Sequence, residues 1–320
     1  MINVFAIDPE ICGRLDWFRY ITEHCKACLG RAIADLPPGE WSRKGLEHID
    51  RLVADKELGP VKGQSLKRRM DRVRDRLVDR PGTVWDYMEG SWLVNTESEH
   101  RREPFQAIVS PEYEEGQANT PKFHPEDIDE AIAEWNTPNG MPTTRTNEAF
   151  ADAVLPLLVV SKRAHFVDRG FNVDGNSLYT RNYRKIFNSL NTVRYEDYPE
   201  ITIHCCPDAD IDRSYFETSF RALYANMIPA SSTVTIILWQ VDDGPPDRGA
   251  HPYHNRFVIT NLCGVMVGYG TDSPNHATDA PDELQIVDES IYRTRYTQCN
   301  RRDFPLVSIR EEIVITGSAS

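Results

Sequence analysis

Along the first third of the chain the spacing of apolar positions changes several times, and each change predicts an element. Residues 2–7 (Ile-Asn-Val-Phe-Ala-Ile) are short, apolar and β-branched and are closed by Asp8-Pro9, which predicts a strand. Over 16–34 apolar and aromatic residues recur at helical spacing until Leu36-Pro37-Pro38-Gly39 stops the chain, which predicts a helix and a turn. Within 65–80, Leu66, Met70, Val73 and Leu77 fall on one helical face, so that face should be buried. Arg68, Arg72, Arg76 and Arg80 form a second stripe, with Asp71, Asp75 and Asp79 each three residues beyond an arginine. This predicts a solvated face laced with weak ion pairs; a phosphate-tracking ridge is the lesser alternative, because the aspartates offset much of its field.

From 95 to 147 the pattern dissolves into Glu, Pro, Thr and Asn; only 105–109 and 127–135 look ordered, and 137–144 is turn chemistry. The domain boundary is placed there, with 1–147 a mainly helical N-terminal region and 148–320 a second domain. The pattern then alternates: helix 147–161, strand 164–168, helix 179–190, strand 200–206, helix 213–227, strand 232–240, and paired strands 256–260 and 265–268. Such alternation predicts an α/β domain, a mixed or parallel sheet flanked by helices.

Composition narrows the class. No stretch of the 320 residues approaches the roughly 20 apolar positions needed to cross a bilayer. The first twelve residues lack the basic start and long apolar run of a signal peptide, so a cytoplasmic location is expected. The seven cysteines are then expected to be reduced thiols. A net charge of -13 repels polyanions at long range, so any nucleic-acid site must be local.

In open α/β sheets ligands gather beyond the carboxyl ends of strands, which makes Asp168, Arg169 and His204 the first candidates for ligand contact. Capping or turning the chain is the blander role for each. The strongest chemical signal is His254-Asn-Arg-Phe-Val-Ile-Thr-Asn261, followed by a second apolar strand and the turn Gly268-Tyr-Gly-Thr271-Asp272. In an extended strand, residues two apart share a face, so His254 and Arg256 would present an imidazole and a guanidinium together.

This segment resembles the phospholipase D signature, H-x-K-x-x-x-x-D followed by a short strand and a G-S-x-N-like turn. Here arginine stands for the lysine at 256 and asparagine for the acid at 261. The resemblance extends over most of 148–300 and is closest to degenerate phospholipase D-like domains, including the C-terminal domain of microtubule-interacting-and-trafficking proteins and domains of bacterial defence proteins. It implies a phospholipase D-like mixed sheet and a phosphodiesterase, a nuclease of an antiviral defence system, working without a metal or other cofactor. His254 would be the nucleophile, Arg256 the phosphate clamp, Asn261 an orienting partner and Glu289 a supporting carboxylate, with Thr271 and Asp272 at the ligand. A single signature implies a homodimer that brings two copies of His254 together; His204 as the missing partner is the alternative. The substitutions equally imply a degenerate module that binds a phosphate-bearing ligand or a protein partner within a defence complex.

His24, Cys25 and Cys28 resemble half a zinc site, but no second pair completes it, so cysteines packed in a helix core are the expectation. Neither a dinucleotide fingerprint nor a P-loop is present.

Overall fold

In a computed structural model, residues 2–319 are described except 89, 114–120, 129–132, 137, 139, 146–147, 175–178, 195, 208–210, 242–255, 269–277 and 306. The chain divides into two compact units, Ile2–Pro138 and Asn139–Ser320.

The N-terminal unit contains β1 (Asn3–Ile7), α1 (Leu15–His24), β2 (Arg31–Ala34), α2 (Trp41–Ala54), α3 (Pro60–Arg74), β3 (Leu77–Val78), α4 (Trp92–Arg102), β4 (Ala107–Val109) and β5 (Lys122–Phe123). Its strands pair in parallel in the order β3-β2-β1-β4-β5. The expectation of a mainly helical region is therefore corrected to a parallel α/β sheet. The helix expected over 16–34 ends at His24, and Gly30, at φ 72, turns the chain into β2, which pairs with β1. Only glycine adopts that left-handed conformation without strain. Leu66, Met70 and Val73 are buried as expected, but α3 stops at Arg74, so Leu77 and Arg80 leave the helical stripes. Both sheet faces are covered: Phe5, Ile7 and Ile33 pack with Phe18, Trp41, Leu66 and Met70, whereas Ala6, Ala34 and Ile108 pack with Phe105, Trp85 and Trp92. Burial on two faces is what a parallel sheet requires.

The C-terminal unit contains β6 (Gly140–Arg145), α5 (Ala149–Val159), β7 (Arg163–Val167), α6 (Thr180–Arg194), β8 (Glu200–Cys205), α7 (Arg213–Tyr224), β9 (Thr233–Val241), β10 (Arg256–Thr260), β11 (Gly264–Val267), β12 (Thr278–Ile286), α8 (Glu289–Arg301) and β13 (Val307–Thr316). The sheet order is β13-β9-β8-β7-β10-β11-β12-β6, with β7, β8 and β9 parallel and the other pairs antiparallel. The unit starts before residue 148 because β6 belongs to this sheet. Its mixed, helix-flanked architecture agrees with the expected class. Alternation along the strands sends Val167, Ile237, Trp239, Phe257 and Ile259 to one face, where they meet Cys299 and Phe304 at the end of α8. No helix among the described residues is long and apolar enough to cross a membrane.

Gly317 follows β13 where the backbone of Ile228 and Pro229 passes closely; a Cβ there would sit 2.2 Å from the Ile228 carbonyl oxygen. Backbone cannot rotate away as a side chain can. Gly317→Ala is expected to cost about 1–3 kcal/mol in urea unfolding, the range of overpacking; an unchanged midpoint would show that this strand end adapts freely.

Candidate functional site

Because β10 runs antiparallel to β7, its first residue lies at the carboxyl edge of the parallel strands. Phe257 pairs with Val167, which sets Arg256 beside Asp168. Asp168 is wholly buried; its Oδ1 accepts the Gly170 N–H at 3.0 Å and the Arg256 Nε–H at 3.3 Å. The Arg256 side chain is 32% exposed. A buried carboxylate thus holds one nitrogen of a half-exposed guanidinium, and among the described residues the two terminal nitrogens make no hydrogen bond. Arg169 follows with an exposed side chain, its carbonyl accepting from Cys206 N at 3.3 Å. Two expected ligand residues, Asp168 and Arg169, and the expected phosphate clamp, Arg256, therefore gather at one edge, where an open sheet collects ligands.

The other described candidates lie elsewhere. Asn261 ends β10 at the opposite edge, five residues and roughly 16 Å of strand from Arg256. Its Oδ1 accepts the backbone N–H groups of Lys162 at 2.8 Å and Arg163 at 3.0 Å. That amide fastens the entrance of β7 rather than orienting a clamp.

Glu289 opens α8 and pairs with Arg293 one turn later, at 2.6 Å. The helix starts beside the β10–β11 turn, since Val287 N donates to Gly264 O and the Tyr292 hydroxyl to Thr260 O. Glu289 is thus a helix-surface residue at the Asn261 edge and does not support Arg256.

His204 is buried on the face opposite Arg256, between Trp239 and Phe304. The Trp239 Nε1–H donates to His204 Nδ1 at 3.3 Å, which leaves the proton on Nε2, facing His165 Nδ1 at 3.2 Å. Burial pushes both imidazoles down, His165 to about 4. His204 is therefore a neutral core residue rather than one that faces ligand at the sheet edge. His254, Thr271 and Asp272 lie outside the described residues.

His165, His204 and Cys299 form the one grouping among the described residues whose ligand atoms, all within 4.8 Å of one another, could hold an ion. The His204 hydrogen bonds do not suit one, because an indole N–H can only donate, so Trp239 fixes the His204 tautomer with its proton on the nitrogen facing His165. Burial pushes the Cys299 thiol up to about 12. Cys25 is likewise a buried thiol pushed up to about 12.

In the N-terminal unit the sequence reading missed Asp8 and Ser110, which follow adjacent strands β1 and β4. Ser110 Oγ donates to Asp8 Oδ2 at 2.7 Å and Glu10 N to Oδ1 at 2.9 Å. Burial raises the Asp8 carboxyl to about 7, with Glu10 and Glu112 adding repulsion against those hydrogen bonds. The available signal is an apolar strand that ends directly in an aspartate. No family model matches this chain, and no curated protein does.

Proposed function

We propose that the C-terminal unit is a phosphate-recognising module of phospholipase D-like architecture, with Arg256 as its clamp and a nucleic-acid backbone as its ligand. One observation carries this reading: the Arg256 guanidinium is fixed through Nε by buried Asp168 at the carboxyl edge of β7–β9. A guanidinium anchored in this way points two parallel N–H groups outward at low entropic cost, which is the geometry that engages two phosphate oxygens. Arg169 adds a second positive charge at the same edge. The resemblance to defence proteins supplies the setting, a complex in which a second copy or another protein contributes the rest of the surface.

The placement of Asn261 and Glu289 away from this edge, and of the His204 side chain on the opposite face of the sheet, favours binding over hydrolysis. Phosphodiester cleavage by His254 is the second reading, supported by the H-x-R spacing alone.

Fluorescence anisotropy with labelled single- and double-stranded DNA and RNA tests both. Arg256→Ala is expected to weaken binding by about 10-fold or more, the value of lost charge-assisted hydrogen bonds. Asp168→Asn should weaken it less, because the clamp remains but loses its anchor. Affinity unchanged in Arg256→Ala removes the proposal. Metal-free cleavage that vanishes in His254→Ala would replace the binding module by the phosphodiesterase.

A further inference from the structure

In the N-terminal sheet the chain leaves β1 for β2 on one side, whereas β4 lies against β1 on the other. The crevice outside the carboxyl ends of β1 and β4 is thus the topological switch point, where open parallel sheets bind their ligands. The structure opens a cavity of about 480 Å³ there, with Asp8 in its lining. This volume is within the range of small-molecule sites, roughly 300–1,000 Å³.

Two half-buried indoles, Trp85 and Trp92, supply apolar wall. Both are held by hydrogen bonds around them. The Trp92 N–H donates to Leu36 O at 3.1 Å, and Asn95 Oδ1 accepts from Asp86 N at 2.8 Å, tying the loop that carries Trp85 to α4. Rings fixed in this way lose little entropy when a second ring stacks on them.

The charges then decide what kind of ring fits. Asp8, Glu10, Glu47, Asp86 and Glu112 line the crevice against Lys44 and Arg51, with His48 beside them. Burial pushes the His48 imidazole down, and its Nδ1 accepts from Arg51 at 2.7 Å, so it adds no positive charge. Arg51 is partly committed to Glu10 at 3.2 Å, and Glu47 to Arg43 outside the crevice. Glu10, Asp86 and Glu112 still outnumber Lys44 and Arg51, with Asp8 part-ionised near neutral pH, and this surplus penalises a phosphate and favours N–H donors.

We propose that this crevice binds a planar nitrogen heterocycle of nucleoside size that carries no phosphate, its ring against Trp85 and Trp92 and its N–H groups directed at Asp8. The site is independent of the Arg256 edge and has the opposite preference, so one protein would hold a phosphate-seeking surface and a phosphate-excluding crevice on different units. Asp8 retains lone pairs beyond those used by Ser110 and Glu10, enough to accept from an exocyclic amine or a ring N–H.

The test uses the full chain with adenosine, guanosine, cytidine and uridine, each paired with its 5′-monophosphate, in calorimetric titrations. At least one nucleoside is expected to bind, with its monophosphate weaker by about 10-fold or more. Trp85→Ala should weaken binding by roughly 5- to 100-fold, the span of base stacking on an aromatic side chain, and Asp8→Asn should change the preference among the four bases. Hydrogen-exchange protection of the wild-type protein by the bound nucleoside should fall on 8–10 and 85–95, which needs no variant to fold. The proposal is overturned if all four nucleosides fail to bind at millimolar concentration, if the monophosphates bind as tightly, or if protection falls elsewhere. Loss of nucleic-acid binding in Arg256→Ala would leave it untouched.

Discussion

Glu99→Ala is expected to destabilise the N-terminal unit by about 3–5 kcal/mol, the cost of stranding a buried charge. The Glu99 and Arg80 side chains are 1% and 2% exposed and lie 3.4 Å apart. Glu99 also accepts from Arg102 Nε at 2.9 Å and Thr83 Oγ1 at 3.1 Å, while Arg80 donates to Glu103 O at 2.6 Å and lies 3.9 Å over the Phe105 ring. Burial pulls the Arg80 guanidinium down from its ordinary value, and Glu103 and Glu99 oppose that pull. Removing Glu99 withdraws the buried one of its two anions and leaves only Glu103, whose side chain is half exposed. Glu99→Gln, which keeps shape and the Thr83 contact, should cost less, and Arg80→Met combined with Glu99→Leu should recover much of the loss, since an apolar pair replaces a buried ion pair at little cost. Urea unfolding of the three variants decides it. A Glu99→Ala effect below about 1 kcal/mol would mean that Glu103 alone satisfies the guanidinium.

Lowering the pH from 7 to 4 is expected to remove on the order of 3 kcal/mol from the C-terminal unit through His165, with His204 acting in the same direction. His165 is held near 4 by burial and by Arg163 and Arg302, against the opposing pulls of Asn300 and Glu200. The unfolded chain takes up a proton below about 6.5, whereas the folded chain stays neutral until about 4. Stability is therefore fully present above 6.5 and falls as pH descends through that window. The two imidazoles touch at 3.2 Å and titrate as a pair. Amide exchange in β7 and β8, corrected for intrinsic rates, reports the slope, and His165→Gln should flatten it. Equal slopes in both proteins would refute the assignment.

How much of this was legible follows from element length. In the C-terminal unit the expected strands 164–168, 200–206 and 256–260 match β7, β8 and β10 to within a residue, because each is an apolar run bounded by turn chemistry. In the N-terminal unit β2 to β5 have two to four residues. A run that short shows no alternation, and only pairing with β1 or its neighbours makes it a strand. β13 was missed for another reason: Ser-Ile-Arg-Glu-Glu reads as a polar surface, although Ile313 and Ile315 are buried by pairing with β9. At the site, the spacing of a signature conveys which residues share a strand but not which edge each reaches. Arg256 and Asn261 are separated by the full length of β10.

β6 has a practical corollary. Gly140–Arg145 looks like linker in composition, yet it hydrogen-bonds along β12 as the outermost strand of the eight. Trimming the chain to 148 would strip that strand and uncover a row of backbone donors and acceptors able to recruit another polypeptide. A fragment cut there is expected to self-associate in light scattering, and the resulting particles would be a product of the scissors rather than a property of the molecule. Beginning at 139 keeps β6 over β12 as the native edge strand, so association measured on that piece would not be created by the cut.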